Sequence, residues 1–150
     1  MGLEPNFSLK SITQKLEKEI ANINNAVLNE LKYVALEFVK TARSKTDMQG
    51  SFEDQTGNLR SSIGYLIFKN GQPVDENFDV TAQGQEGKRL GYEYGVNRSQ
   101  SELGYVLIVV AGMNYAVYVE SKGFDVITGS SFKAESDLKA AFDKLQRNLR

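Results

Sequence analysis

Eight apolar residues, Leu16, Ile20, Ile23, Val27, Leu31, Val34, Phe38 and Ala42, recur at spacings of 4, 3, 4, 4, 3, 4 and 4. That rhythm matches the helical period and puts all eight on one stripe. A helix from about residue 12 to residue 44 would be roughly 50 Å long at 1.5 Å per residue. A chain of 150 residues has an expected radius of gyration of only about 15 Å. The helix must therefore project from the body or break. Asn22, Asn24 and Asn25 mark the place for a break, because asparagine is a poor helix former. If the helix projects, its apolar N-terminal half needs a partner, which points to an oligomer. Ser11-Ile12-Thr13-Gln14 reads as a capping box for its start, and Gly50 with the polar run around it ends the element.

Beyond residue 55 the period changes. Ser62 to Phe68 reads as a strand, and Asn70-Gly71 is a strong hairpin signal. Pro73 to Val80 is the expected return strand, at a sheet edge because of its proline. Residues 81–89 are polar and contain glycine, the pattern of a loop. Leu90, Tyr92, Tyr94 and Val96 alternate with Gly91, Glu93, Gly95 and Asn97, which predicts a half-exposed strand. Arg98 to Leu103 is the next connection. Tyr105 to Ala111 is apolar at every position and is expected to be the central, doubly covered strand. Tyr115 to Glu120 suits a short helical turn. Gly123 and Gly129 frame a loop with an apolar centre at Phe124, Val126 and Ile127. A final helix from near Ser131 is expected to bury Leu138, Ala141, Phe142, Leu145 and Leu149. Lys144, Arg147 and Arg150 stand at its C-terminal end, where cations suit the helix dipole. The expected class is α+β: one domain over residues 1–150 with a long N-terminal helix, a mainly antiparallel sheet of about four strands in two hairpins, and a C-terminal helix.

Composition limits the chemistry. The chain has no cysteine and no histidine. Disulfides, thiolate metal sites, serine–histidine triads and histidine–zinc centres cannot be built within it. Formal net charge is −1, without the basic excess that counterion release from nucleic acid requires. The charge is uneven: +2 over residues 1–45, −4 over 46–104 and +1 over 105–150. The N-terminus has no apolar run of signal-peptide length, and Tyr105 to Met113 is far short of the roughly 20 residues of a spanning helix. A soluble protein of the cytoplasm is expected.

Carboxylates remain the only plausible acids and bases. Glu53, Asp54, Glu93 and Glu120 are the candidates, and nothing pairs them at motif spacing. Gly84-Gln85-Glu86-Gly87-Lys88 lacks the spacing of a phosphate loop, and Asp75, Glu76 and Asp79 lack the EF-hand pattern. The tyrosines around residues 92–118 have few basic residues interleaved, so they suit a core or a protein interface better than base stacking. No catalytic, cofactor-binding or metal site is expected, and no cofactor.

Two segments carry a resemblance. Thr56-Gly57-Asn58-Leu59-Arg60-Ser61-Ser62-Ile63 precedes the first hairpin, and Asn114-Tyr115-Ala116-Val117-Tyr118-Val119-Glu120 follows the apolar strand. In this order they resemble the neck and tail-completion proteins of lambda-like long-tailed bacteriophages, whose members show "TGxLRxSI"-like and "YAxYVExG"-like segments. The resemblance spans about residues 10 to 145. Family members often continue to a glycine and then a proline- and arginine-containing stretch; Ser121 to Gly129 has no proline.

The resemblance implies a non-enzymatic virion subunit that completes the neck or the head-proximal tail end and helps join tail to capsid. It would be made in the host cytoplasm and end in the particle. Its partners would be copies of itself, in a ring, and neighbouring connector or tail proteins, with DNA passing through and no membrane contact. Residues 75–86 would then line an acidic lumen, and the free subunit could stay monomeric until it meets its template. Arg60, Glu120, Tyr115, Tyr118, Phe124 and Ile127 are the structural and interface candidates. Arg60 and Glu120 flank the two best strands, and a pair between them would hold the short turn against the sheet. Two other classes remain beside this one. A small carboxylate-dependent hydrolase predicts convergent acids, and a nucleic-acid-binding accessory protein predicts a contiguous basic face.

Overall fold

The computed structural model describes residues 8–46, 48, 50–99 and 103–149. Helix α1, Leu9–Arg43, is one uninterrupted element of 35 residues, about 52 Å long. Its box lies three residues earlier than expected: the Ser8 hydroxyl accepts from the Ser11 N–H at 3.1 Å, and Ser11 Oγ accepts from the Ser8 N–H at 3.3 Å. The asparagines do not break it. Each costs only about 0.7 kcal/mol relative to alanine, and the Asn24 carbonyl is anchored by the Tyr105 hydroxyl at 3.2 Å.

A four-residue helix, α2 (Asn58–Ser61), leads into β1 (Ile63–Lys69). Asn70 and Gly71 turn the chain with φ of 51° and 77°, the double left-handed turn that the Asn-Gly signal implies. Strand β2 (Gln72–Asn77) returns antiparallel, with a register shift between Ile67 and Phe68. Helix α3 (Gln85–Arg98) follows, then β3 (Tyr105–Ala111), α4 (Ala116–Ser121) and α5 (Thr128–Asn148). The sheet has three strands in the order β2-β1-β3, both pairings antiparallel.

Side chains of β1 alternate between two cores. Ile63, Tyr65 and Ile67 face α1 and share a cluster with Leu31, Val34, Phe38, Val126 and Ala134. Leu66 and Phe68 face α3 and pack with Phe78, Val110 and Val96. The architecture is thus α1 and α5 on one face of the sheet and α3 on the other.

Three expectations are corrected. The 90–96 segment is not a strand, so the sheet has three strands and one hairpin rather than four in two. The glycines at 84, 87, 91 and 95 explain it. Gly87, Gly91 and Gly95 form the buried stripe of α3, with Gly84 buried at its N-cap; a Cβ on Gly87 would lie 1.9 Å from the Asn58 carbonyl oxygen and one on Gly91 2.5 Å from that of Ser62. The apparent period of two arose because the residues that touch the core are glycines, while Tyr92 and Tyr94 are exposed. Second, the central strand is β1, not β3. Helical layers on both faces make either strand apolar throughout. Third, α5 starts at Thr128 and lies along the outside of α1, so Phe142 and Leu149 are exposed rather than buried, while Leu138, Ala141 and Leu145 are half-buried. Residues 100–102 of the expected connection and Arg150 lie outside the described residues. Among the described residues no helix is long and apolar enough to cross a membrane.

Candidate assembly interface

A three-stranded sheet has two edges, and this one treats them differently. Strand β2 carries Pro73, Asp75 and Glu76, and a register shift interrupts its ladder. Proline, charge and irregular pairing are the devices that stop an edge from recruiting another strand. Strand β3 reads Tyr-Val-Leu-Ile-Val-Val-Ala, pairs with β1 in unbroken register from Tyr105 to Ala111, and carries no charge or proline. Its residues are half-buried except Val110, which is buried. No strand among the described residues covers its outer side.

A groove of about 190 Å³ continues from the end of this edge. Val109, Ala111, Ala116, Val117, Val126 and Ile127 line it, together with Tyr94 and Glu120. Helix α4 forms its far wall and exposes Tyr115, Val117 and Tyr118, with Val117 78% accessible. The Tyr118 ring lies 5.1 Å from Lys122 Nζ. Tyr115 has its hydroxyl pKa raised by burial and by the charges of Asp54 and Glu86. Around the corner, Phe124 and Phe132 stand exposed and line a second hollow of about 360 Å³. The four uncharged candidates of the sequence fall in one stretch of chain: Tyr115 at the N-cap of α4, Tyr118 within it, and Phe124 and Ile127 in the loop after it. Ile127 is half-buried in the groove rather than exposed.

Arg60 and Glu120 do not pair with each other; each is bound elsewhere. Arg60 donates to the carbonyls of Arg43 and Phe52 and to Ser51 Oγ, and its guanidinium lies 4.6 Å from the centre of the Phe52 ring. It ties the end of α1 to the segment that follows. Glu120 accepts from the backbone N–H groups of Ile127 (2.8 Å) and Thr128 (3.0 Å) and from the Thr128 hydroxyl (2.7 Å). It caps α5 from outside. Burial alone would raise its pKa, but these three hydrogen bonds hold it below the usual carboxylate range.

Both resembling segments are joints of the frame. Gly57 has φ of 76°, and a Cβ there would lie 2.0 Å from the Thr81 carbonyl oxygen, so only glycine fits this close approach. Asp54 accepts from the Arg60 N–H at 2.7 Å, Asn58 Oδ1 from the Gly87 N–H at 3.1 Å, and Ser61 Oγ from the Thr81 N–H at 2.8 Å. Buried Lys45 fixes the other end, donating to the carbonyls of Asp125 and Val126 and pairing with the Asp125 carboxylate at 2.8 Å.

No family model, curated protein or solved structure matches this chain.

The candidate acids do not converge. Asp54 and Glu120 are committed to caps, Glu93 pairs with Arg89 one helical turn away at 2.8 Å, and Glu53 is exposed. Among the described residues no three acidic side chains form a cluster that could hold a metal ion. The acidic stretch is also partly neutralised: Lys32 pairs with Asp75 at 2.9 Å and Arg43 with Asp79 at 3.8 Å. Residues 75–86 thus present less free charge than the sequence suggests. Val117 and Phe132 were not singled out from the sequence. The apolar residue between two tyrosines of a six-residue helix was the available signal for Val117, and Phe132 lay hidden at the start of a helix expected to begin only at Ser131.

Proposed function

We infer that this protein is a structural assembly subunit of a long-tailed bacteriophage or prophage, completing the neck or the head-proximal end of the tail. The observation that carries the assembly role is the contrast between the guarded β2 edge and the unguarded β3 edge. An open apolar edge is a template for a strand from another chain. With the groove and α4 beside it, the edge offers one continuous surface of backbone donors, apolar side chains and tyrosines. Head-to-tail use of such a surface closes into a ring when the rotation permits. DNA would then pass through the ring without base-specific contact.

The virion assignment comes from the two resembling segments and their order. Their roles in the frame, as the α1–α2–α3 joint and the α5 cap, support a shared fold. The carboxylates a hydrolase would need are committed to caps and an ion pair, or lie apart, which favours assembly over catalysis.

Removing the protein from the phage or prophage that encodes it, and viewing the lysate by negative-stain microscopy, tests the assignment. Separate filled heads and complete tails are expected; normal infectious particles refute it. Val117→Glu adds a charge at an exposed site, where stability should change by only about 0.5 kcal/mol. It should reproduce the unjoined heads and tails while the protein stays folded.

A further inference from the structure

We propose that the projecting end of α1 is a self-complementary dimerisation arm that pairs antiparallel with the same segment of a second copy, centred on Leu16. The first fully buried residue of α1 is Leu31. Before it, the helix exposes Leu9 (83%), Ile12 (39%), Leu16 (58%), Ile20 (58%) and Ile23 (38%) along one stripe. Among the described residues before Leu31, none of the helix is buried.

The stripe is a palindrome about Leu16. Four residues back is Ile12 and four forward is Ile20; seven back is Leu9 and seven forward is Ile23. An antiparallel pair has a two-fold axis at its midpoint, so equal steps from that point meet across the seam. The layers become Leu9 with Ile23, Ile12 with Ile20, and Leu16 with its own copy. At about 100° per residue, Leu9 and Ile20 lean to one side of the stripe centre and Ile12 and Ile23 to the other. Each layer then joins a left-leaning to a right-leaning residue, as antiparallel packing requires.

Two observations select a second copy in this orientation. The stripe runs on without a gap into Val27, Leu31, Val34 and Phe38, which the sheet and α5 of the same chain already cover. A parallel partner would have to occupy that space, whereas an antiparallel partner leaves the body past residue 9. Charge pairing is available as well: in an antiparallel pair flanking residues on the same side of the seam meet, which brings Lys15 of one copy beside Glu19 of the other, twice, while the two Lys15 side chains, and the two Glu17 side chains on the opposite side, can splay away from their own copies. At its root the arm adjoins the start of β3, where the Tyr105 hydroxyl donates to the Asn24 carbonyl; its pairing does not rest on the phage assignment.

The chain has no cysteine, so single cysteines report the geometry directly. Under mild oxidation Leu16→Cys should cross-link to itself. Leu9→Cys and Ile23→Cys should each stay uncross-linked alone but join when mixed. Analytical ultracentrifugation of the unmodified chain should give a dimer, and Leu16→Glu a folded monomer by circular dichroism. Lys15→Glu should weaken the dimer about tenfold, and adding Glu19→Lys should restore it. Self-cross-linking of Leu9→Cys, a dimer indifferent to Leu16→Glu, or a native chain that stays monomeric throughout the accessible concentration range would each overturn the proposal.

Discussion

Replacing Gly87 by alanine separates two effects of opposite sign. Intrinsic propensity favours the change, since alanine in a helix interior is about 1 kcal/mol better than glycine. Packing opposes it. The new Cβ would lie 1.9 Å from the Asn58 carbonyl oxygen, about 1.5 Å short of the 3.4 Å at which ordinary contact begins. The obstruction is backbone, held in α2 by the bond from the Arg60 N–H to the Asp54 carboxylate and by that from the Ser62 N–H to the Asn58 carbonyl, so it cannot rotate away. Helix α3 would have to lift, stretching the 3.1 Å bond from the Gly87 N–H to Asn58 Oδ1. Overpacking of this kind costs about 1–3 kcal/mol and a lost buried hydrogen bond about 1 kcal/mol more. The net expectation is a loss of about 1–3 kcal/mol. Asn97→Ala, on the exposed face of the same helix, should gain about 0.5 kcal/mol. Urea unfolding followed by circular dichroism and tyrosine fluorescence reads both, as the chain has no tryptophan. A Gly87→Ala variant more stable than the parent would refute the close docking of α3 on α2. Gly95→Ala should cost less than Gly87→Ala, because its Cβ meets a leucine methyl, Leu66 Cδ1 at 2.2 Å, rather than backbone.

Arg60→Ala should lose about 3 kcal/mol in the same unfolding assay, because the Arg43 and Phe52 carbonyls lose their donor. Arg60→Lys should recover little of it, lacking the forked guanidinium. Glu120→Ala removes the external cap of α5 and should cost about 1–2 kcal/mol. The Glu120 pKa is lower folded than unfolded, so its contribution is present above the usual carboxylate range and fades as pH falls through the lowered folded value. Unfolding midpoints measured down that range should converge for Glu120→Gln and the parent; a constant gap would contradict the assignment.

The parts of the fold legible in the sequence were those where local chemistry acts alone. The stripe from Leu16 to Ala42 required a helix, and Asn70-Gly71 required a tight hairpin. Helix α3 was hidden because its core face is made of glycine: Gly87, Gly91 and Gly95 carry no side chain for a hydrophobic pattern to register. The place of β3 in the sheet was hidden too. Tyr105, Leu107 and Val109 pack towards α1, and Val106, Ile108 and Val110 towards α3, so an edge strand between helical layers reads like a central one. Of the candidate site, Tyr115, Tyr118 and Phe124 could be named from composition and position. The partners of Arg60 and Glu120 could not, because backbone carbonyls and N–H groups brought together by folding leave no mark on residue type.

That last point bears on what the two resembling segments can and cannot carry. Thr56 to Ile63 holds α2 against α3 and the end of α1, through Gly57, Asn58, Arg60 and Ser61. Tyr115 to Glu120 ends on the cap of α5. Their most constrained residues face inward, so the segments specify a frame. The surfaces proposed to meet other chains are the outer side of β3, the arm from Leu9 to Ile23 and, within the second segment itself, the outward face of α4 around Val117. Changing Val117 or Leu16 should alter assembly with little effect on unfolding, whereas changing Arg60 or Gly57 should lower stability first and assembly only in consequence. A Val117→Glu chain that assembled normally, beside an Arg60→Ala chain that stayed fully stable yet failed to assemble, would reverse this division of roles.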